Sequence, residues 1–162
     1  MKDVSEIKVR LVKKLIEKGY TISAMESCTG GLLASLITDV SGASDVIKGA
    51  LVTYSNESKM KYGVPDEIIG NYGVYSGETA EAMAGACARA FGADIGVGIT
   101  GSLGRKDPNN TDSIPGEVWY CILMDGEPYT YYFETDPDCV TREEMKLAVV
   151  YDIMEKTEQL LG

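Results

Sequence analysis

The chain has 162 residues, a length typical of one domain with a single sizeable core, so residues 1–162 are expected to form one domain. Its 15 basic and 25 acidic side chains give a formal net charge of -10, which argues against nucleic acid as a partner but leaves room for a small anionic ligand. The absence of histidine excludes Ser-His and Cys-His catalysis and histidine-rich metal sites, and the four scattered cysteines suggest neither a zinc site nor a redox dithiol.

The sequence lacks the features of a membrane or secreted protein. No apolar run reaches the length needed to span a bilayer, and the first ten residues do not resemble a secretory signal. We therefore expect a soluble cytoplasmic protein without a membrane partner.

The first half of the chain alternates helices with strands. Apolar residues at helical spacing predict a helix from Val4 to Lys18, and Gly19 is a natural stop. A short strand is predicted over 20–25, followed by a glycine-bearing turn and a second helix. A further strand begins at Ile47, and Ser55 stands where it would cap the next helix.

The second half continues the alternation and ends with a hairpin. After a helical stretch from Pro65 to about Ile69, an alanine-rich helix begins at Gly77. The strand after it, within 93–101, contains glycines that imply close backbone approach. A polar loop over 102–115 is long enough to be a binding loop or lid.

Two further strands flank the dipeptide Asp125-Gly126, a strong hairpin signal, and an amphipathic helix is predicted from Thr141 to Leu161. Together these elements predict a three-layer α/β/α sandwich. Its sheet is expected to be mixed and mostly parallel, with the antiparallel hairpin at one side.

Two segments have residue types suited to chemistry. Residues 26–31 (ESCTGG) end a strand and open a helix, where backbone N–H groups and the helix dipole attract an anion. Without further evidence, this segment is more simply an ordinary strand-to-helix turn with Thr29 as N-cap. In the second segment Tyr54 ends a strand and Lys59 lies one helical turn later; a partly desolvated lysine there is a candidate base toward a serine hydroxyl.

Six segments, in this order and spacing, resemble the CinA C-terminal domain family, and the resemblance covers about residues 5–160. They are residues 26–31 (ESCTGG), 49–59 (GALVTYSNESK), 63–65 (GVP), 72–76 (YGVYS), 92–101 (GADIGVGITG) and 115–119 (PGEVW). The chain is most similar in extent to the stand-alone nicotinamide-nucleotide deamidases of this family.

The resemblance implies an α/β/α fold and an activity that converts nicotinamide mononucleotide to nicotinate mononucleotide and ammonia without a metal or other cofactor. It also implies a homo-oligomer. By position, Ser44 resembles the family's nucleophile, Lys59 its general base and Tyr54 a neighbouring polar group. Read without the family, Ser44 is more simply a cap or turn residue.

The resemblance also indicates the residues around the substrate. Arg142 resembles a basic position suited to the substrate phosphate. The expected pocket residues are Ser27, Thr29, Gly30, Gly31, Thr100 and Gly101. Glycine-bearing turns among them are expected to supply N–H groups that stabilise an oxyanion.

The chain departs from the family after Gly101, where a stretch that normally reads GIAGPGGG is here residues 101–108 (GSLGRKDP). Arg105 and Lys106 in this bulkier loop are candidates for new phosphate contacts. The departure leaves two other functions open: a catalytically silent binding module, or an amidohydrolase for another amide. Within the enzyme hypothesis, Cys28 is a competing nucleophile.

Overall fold

The computed structural model describes residues 2–162 and places five strands in one sheet, in the order β2-β1-β3-β4-β5. The strands are β1 (Ile22–Glu26), β2 (Ile47–Val52), β3 (Ile95–Gly101), β4 (Glu117–Met124) and β5 (Glu127–Glu134). β1 pairs in parallel with both β2 and β3, whereas β4 is antiparallel to β3 and to β5. The predicted mixed sheet with a hairpin at one side is confirmed, but it is not mostly parallel, because parallel and antiparallel pairings are equal in number.

Helices cover both faces of this sheet. They are α1 (Val4–Lys18), α2 (Leu32–Thr38), α3 (Asn56–Lys61), α4 (Asp66–Tyr72), α5 (Gly77–Phe91) and α6 (Arg142–Leu161). α1, α2 and α6 contact one another on one face, while α5 crosses the other face and carries α4. The result is the predicted three-layer α/β/α arrangement.

Local signals account for where the helices begin and end. Gly19 takes a left-handed conformation, with φ 73°, and its N–H caps α1 as predicted. Ser55 and Thr141 form capping boxes at the starts of α3 and α6. These caps fix the N-termini of two helices: α3, which carries Lys59, and α6, which begins with Arg142.

The glycines of β3 allow α5 to lie unusually close to the sheet. A Cβ atom at Gly96 would lie 2.1 Å from the carbonyl oxygen of Ala84, and one at Gly98 would lie 2.1 Å from that of Ala80. The close approach expected from the glycine-rich strand and the alanine-rich helix is therefore confirmed. On the opposite face, the isoleucines and valine of β3 join the larger hydrophobic cluster with α1 and α6.

β4 and β5 form the predicted hairpin around Asp125 and Gly126. Both turn residues have positive φ, 52° and 81°, which matches the twist of a two-residue hairpin.

Within residues 2–162, no helix combines the length and apolar character needed to cross a membrane.

Candidate active site at the carboxyl edge of the sheet

A cavity of about 1150 Å³ opens at the edge of the sheet where β1, β2 and β3 end. In a sheet with parallel strands, this edge is where ligands usually bind. The cavity is lined by Ser27 and Cys28 after β1, Val52 and residues 54–58 after β2, Tyr75, residues 101–103 and 105–110, and Arg142.

Lys59 is buried directly behind Ser27. Its side chain is 2% exposed, and its Nζ donates hydrogen bonds to Ser27 Oγ at 3.0 Å and to the carbonyl oxygen of Thr53 at 2.7 Å. Thr53 is itself held because its N–H bonds the carbonyl of Glu26 across the β1–β2 edge. The ends of two adjacent strands thus bring a lysine amine and a serine hydroxyl together.

Burial changes the chemistry of this lysine. It lowers the pKa of Lys59 from 10.5 to about 8, since burial disfavours the ammonium form, and the nearby carboxylate of Asp107 opposes the shift only in part. A fraction of Lys59 is therefore neutral near physiological pH. A neutral amine at hydrogen-bonding distance from a hydroxyl can act as its general base.

Cys28 borders the same cavity but is poorly suited to attack. Burial raises the pKa of its thiol to about 12, although the charge of Lys59 acts in the opposite direction. Because the thiolate is the reactive form, Cys28 is protonated and unreactive at neutral pH. This environment favours the hydroxyl of Ser27 over the neighbouring thiol.

Ser44 lies elsewhere in the fold. It is exposed in a short 3-10 turn, Ala43–Asp45, that precedes β2, whereas the cavity lies beyond the other end of β2. Six strand residues separate the two positions, about 20 Å at the rise of an extended chain. The expected pairing of Ser44 with Lys59 is therefore wrong for a single chain. The serine that contacts Lys59 is Ser27.

The anion site expected at the start of α2 is already filled by a side chain of the protein. The carboxylate of Glu26 is fully buried and accepts hydrogen bonds from the N–H groups of Leu33 and Ala34, both at 3.0 Å, and from Thr29 Oγ1 at 2.7 Å. These are the donors that a phosphate would need.

Thr29, Gly30 and Gly31 consequently lie outside the cavity lining. The prediction that they surround the substrate is corrected: they form the turn that Glu26 holds. Glycine suits this turn because Gly30 and Gly31 have φ values of 62° and 98°.

Of the two predicted pocket residues at the end of β3, Thr100 and Gly101, only Gly101 lines the cavity. Thr100 is buried, and its hydroxyl donates to the carbonyl oxygen of Val74 at 2.8 Å, so it fixes the segment that leads to Tyr75 rather than reaching the cavity.

Three cations line the cavity, and one of them bonds a tyrosine there. Arg142 donates from Nη1 to the carbonyl oxygen of Leu103 and from Nη2 to the hydroxyl of Tyr54 at 2.9 Å. Arg105 and Lys106 also line the cavity, and none of the three forms a salt bridge within residues 2–162. The guanidinium of Arg142 keeps N–H donors for an anion.

The loop over 102–116 lines part of the cavity and is held by contacts that the sequence did not indicate. The carboxylate of Asp107 accepts hydrogen bonds from Tyr75 Oη at 2.6 Å and from Asn110 Nδ2 at 2.8 Å. Asn110 also exchanges amide hydrogen bonds with Asn56 at the start of α3, at 2.9 and 3.4 Å. The unusual length of this polar segment was the only signal that could have drawn attention to it.

Within residues 2–162, no cluster of three or more His, Cys, Asp or Glu side chains is arranged to hold a metal ion.

Comparison with known proteins assigns this chain to one family. A family model described as the CinA C-terminal domain matches residues 4–161. A relative from Lysinibacillus sphaericus (strain C3-41) is 42% identical over 132 residues, and a CinA-like protein of Dictyoglomus turgidum (strain DSM 6724 / Z-1310) is 45% identical over 118 residues. These alignments cover 80% and 72% of this chain but only 31% and 28% of the relatives, so the chain spans less than a third of their length.

A crystal structure of the competence/damage inducible protein CihA from Agrobacterium tumefaciens has the same fold. It superposes with a TM-score of 0.90 at 27% identity, covering 100% of this chain and 98% of that one. With matching sequence along nearly the whole chain and matching structure from end to end, this protein belongs to the CinA C-terminal domain family.

Proposed function

We propose that this chain hydrolyses the carboxamide of nicotinamide mononucleotide, giving nicotinate mononucleotide and ammonia, with Ser27 as nucleophile and Lys59 as general base. The observation that carries the proposal is the 3.0 Å hydrogen bond between Lys59 Nζ and Ser27 Oγ at the wall of the cavity. Family membership supports the reaction class, because the resemblance to the stand-alone deamidases implies this amide.

The first half of the reaction forms an ester. Neutral Lys59 takes the proton of the Ser27 hydroxyl as Oγ attacks the carboxamide carbon, and backbone N–H groups at the start of the turn after β1, where Ser27 and Cys28 line the cavity, stabilise the oxyanion. Collapse of the tetrahedral intermediate breaks the C–N bond. The proton carried by Lys59 passes to the leaving nitrogen, so ammonia departs and Lys59 is neutral again.

The second half reverses these roles with water as the attacking group. Lys59 takes a proton from water as its oxygen attacks the ester carbon, and then returns that proton to Ser27 Oγ as the ester bond breaks. The product is the carboxylic acid, which releases its proton to solvent to give the nicotinate carboxylate. Lys59 and Ser27 end each turnover in the protonation states in which they began it.

The cations of the cavity support a phosphorylated substrate. Arg142 has donors left after its bonds to Leu103 and Tyr54, and Arg105 and Lys106 add positive charge nearby. A phosphomonoester is doubly charged at neutral pH and favours guanidinium donors. This local charge is opposite to the net charge of -10 on the whole chain.

Ammonia release by the purified protein tests the proposal, with nicotinamide mononucleotide, nicotinamide, NAD and glutamine as separate substrates. We expect selective turnover of the mononucleotide. Ser27→Ala is expected to lower kcat by about a thousandfold or more, the scale on which loss of a catalytic nucleophile acts. Ser44→Ala, a matched removal of a hydroxyl outside the cavity, is expected to retain activity within about twofold.

Two outcomes would contradict the proposal in different ways. A folded protein that binds the nucleotide but releases no ammonia would be a silent binding module. An inactive Ser44→Ala protein beside an active Ser27→Ala protein would move the nucleophile to Ser44, which then has to reach Lys59 from another copy of the chain in the expected homo-oligomer.

A further inference from the structure

Asp107 places an unneutralised carboxylate in the cavity. Its oxygens accept hydrogen bonds from Tyr75 Oη at 2.6 Å, from Asn110 Nδ2 at 2.8 Å and from the N–H of Asn109 at 2.8 Å. All three donors are neutral, and within residues 2–162 no lysine or arginine nitrogen lies within 4.0 Å of this carboxylate. The negative charge is therefore held in position without being cancelled.

This charge is present at neutral pH and affects the pKa of Lys59. The hydrogen bonds from Asn110 and Tyr75 lower the pKa of Asp107, so the group is ionised. The charge of Asp107 in turn raises the pKa of Lys59, in opposition to the larger effect of burial. Tyr75, which bonds Asp107, lines the same cavity as Ser27 and Cys28.

The cavity is thus lined by charges of both signs. Arg142, Arg105 and Lys106 are positive, whereas Asp107 is negative and near enough to Lys59 to affect its pKa. A nucleotide whose base is a quaternary pyridinium also carries both charges, since it has a cationic ring at one end and a phosphate at the other. A cation near a carboxylate and a tyrosine ring is stabilised by both.

We infer that Asp107 is a specificity-determining residue that selects nucleotides with a cationic pyridinium ring over analogues with an uncharged ring. The inference rests on the proposed function and names the feature of the substrate that the loop recognises. Asp107 lies in residues 101–108, where this chain departs from the glycine-rich pattern of its family, so the selectivity belongs to the loop of this chain.

Binding to the inactive Ser27→Ala protein tests the inference without interference from turnover. The probes are nicotinamide mononucleotide, its reduced dihydropyridine form, which has the same phosphate and carboxamide but no ring charge, and ribose 5-phosphate, each titrated calorimetrically. We expect the oxidised form to bind about tenfold more tightly than the reduced form, the order of magnitude for one carboxylate near the ring in a partly hydrated site.

In the Ser27→Ala protein that also carries Asp107→Asn, the affinities for the oxidised and reduced nucleotides should lie within about twofold of each other. The affinity for ribose 5-phosphate should be unchanged. Two controls separate charge from loop position. Tyr75→Phe removes a hydrogen bond to the loop but keeps the carboxylate, and Glu57→Gln removes the other carboxylate that lines the cavity; both should keep the preference for the oxidised form.

Equal binding of the two forms before Asp107 is changed, or a preference that survives Asp107→Asn, would overturn the inference. So would an equal loss of preference in Tyr75→Phe, because the position of the loop would then be responsible rather than its charge. These results differ from failure of the proposed function, which is measured separately as absence of ammonia release by the protein with Ser27 intact.

Discussion

At the scale of single residues, neighbouring groups differ in reactivity because the fold buries them differently. Lys59 and Cys28 lie close together, and burial acts on both in favour of the neutral form, lowering the pKa of the amine and raising that of the thiol. The amine becomes available as a base and the thiol becomes unavailable as a nucleophile. The hydroxyl of Ser27, which has no charge to lose on burial, is left as the group that Lys59 can activate.

The pKa of Lys59 predicts how activity depends on pH. Only neutral Lys59 can accept the proton of Ser27, and its pKa is lowered to about 8. We therefore expect kcat/KM for nicotinamide mononucleotide to rise about tenfold per pH unit below pH 8 and to level off above it. Initial rates of ammonia release between pH 6 and 9.5 measure this profile.

A change at Asp107 gives a second test of this pH profile. Asp107→Asn removes a charge that raises the pKa of Lys59, so the midpoint of the profile should move to lower pH. A flat profile across this range, or a midpoint near 10.5, the ordinary value for lysine, would contradict the role given to Lys59.

At the scale of secondary-structure elements, the contact between β3 and α5 depends on the absence of side chains. A Cβ atom at Gly98 would lie 2.1 Å from the carbonyl oxygen of Ala80 and 2.5 Å from the backbone nitrogen of Ala84. Both atoms belong to the helix backbone and cannot turn aside as a side chain can. Any substitution at Gly98 must push α5 away from the sheet.

Gly98→Ala is therefore expected to lower the free energy of unfolding by about 1–3 kcal/mol, the range for overpacking a well-packed core. Gly70→Ala in α4 is the matched control, because its Cβ would meet nothing within 4 Å and its φ is not positive. That change should stabilise the protein by about 0.5–1 kcal/mol, as alanine is the better helix former. Urea unfolding measures both, and equal stability of the two variants would refute the packing argument.

Most elements could be predicted because their signals are local. Gly19, Ser55 and Thr141 set helix ends through contacts within a few residues, and Asp125-Gly126 sets the hairpin through its own backbone angles. The packing of β3 on α5 was also predictable, since glycine on one element and alanine on the other favour close approach.

The site was less predictable because its contacts join distant parts of the chain. Lys59 was identified from its position after a strand, yet its serine partner lies 32 residues away and not at Ser44. Residues 26–31 contain a helix N-terminus suited to anions, but the side chain of Glu26 reaches seven and eight residues ahead and occupies it. Spacing alone does not reveal either contact.

At the scale of the whole molecule, Arg142 connects three separate parts of the fold. It lies in the first turn of α6, donates to Leu103 in the loop after β3, and donates to Tyr54 after β2. The guanidinium both bridges these segments and faces the cavity. Its removal should weaken binding of the phosphate and loosen the cavity wall.

Arg142→Ala is expected to raise KM for nicotinamide mononucleotide by roughly tenfold to a hundredfold, with a smaller change in kcat, because the phosphate lies away from the reacting amide. Lys156→Ala removes the same charge from α6 at a position outside the cavity lining and should leave KM within about twofold. Steady-state kinetics distinguish the two. An unchanged KM in Arg142→Ala would mean that Arg105 and Lys106 alone hold the phosphate.

The hairpin has a consequence for how copies of the protein meet. β5 is an outer strand of the sheet, so its far side offers backbone groups to any passing strand. Pro128 is the second residue after the hairpin turn, where the missing N–H points outward, and glutamates at both ends of β5 carry negative charge. Two such strands laid side by side would lose a hydrogen bond at each Pro128 and bring glutamates of like charge together, so this edge of the sheet disfavours strand-to-strand aggregation.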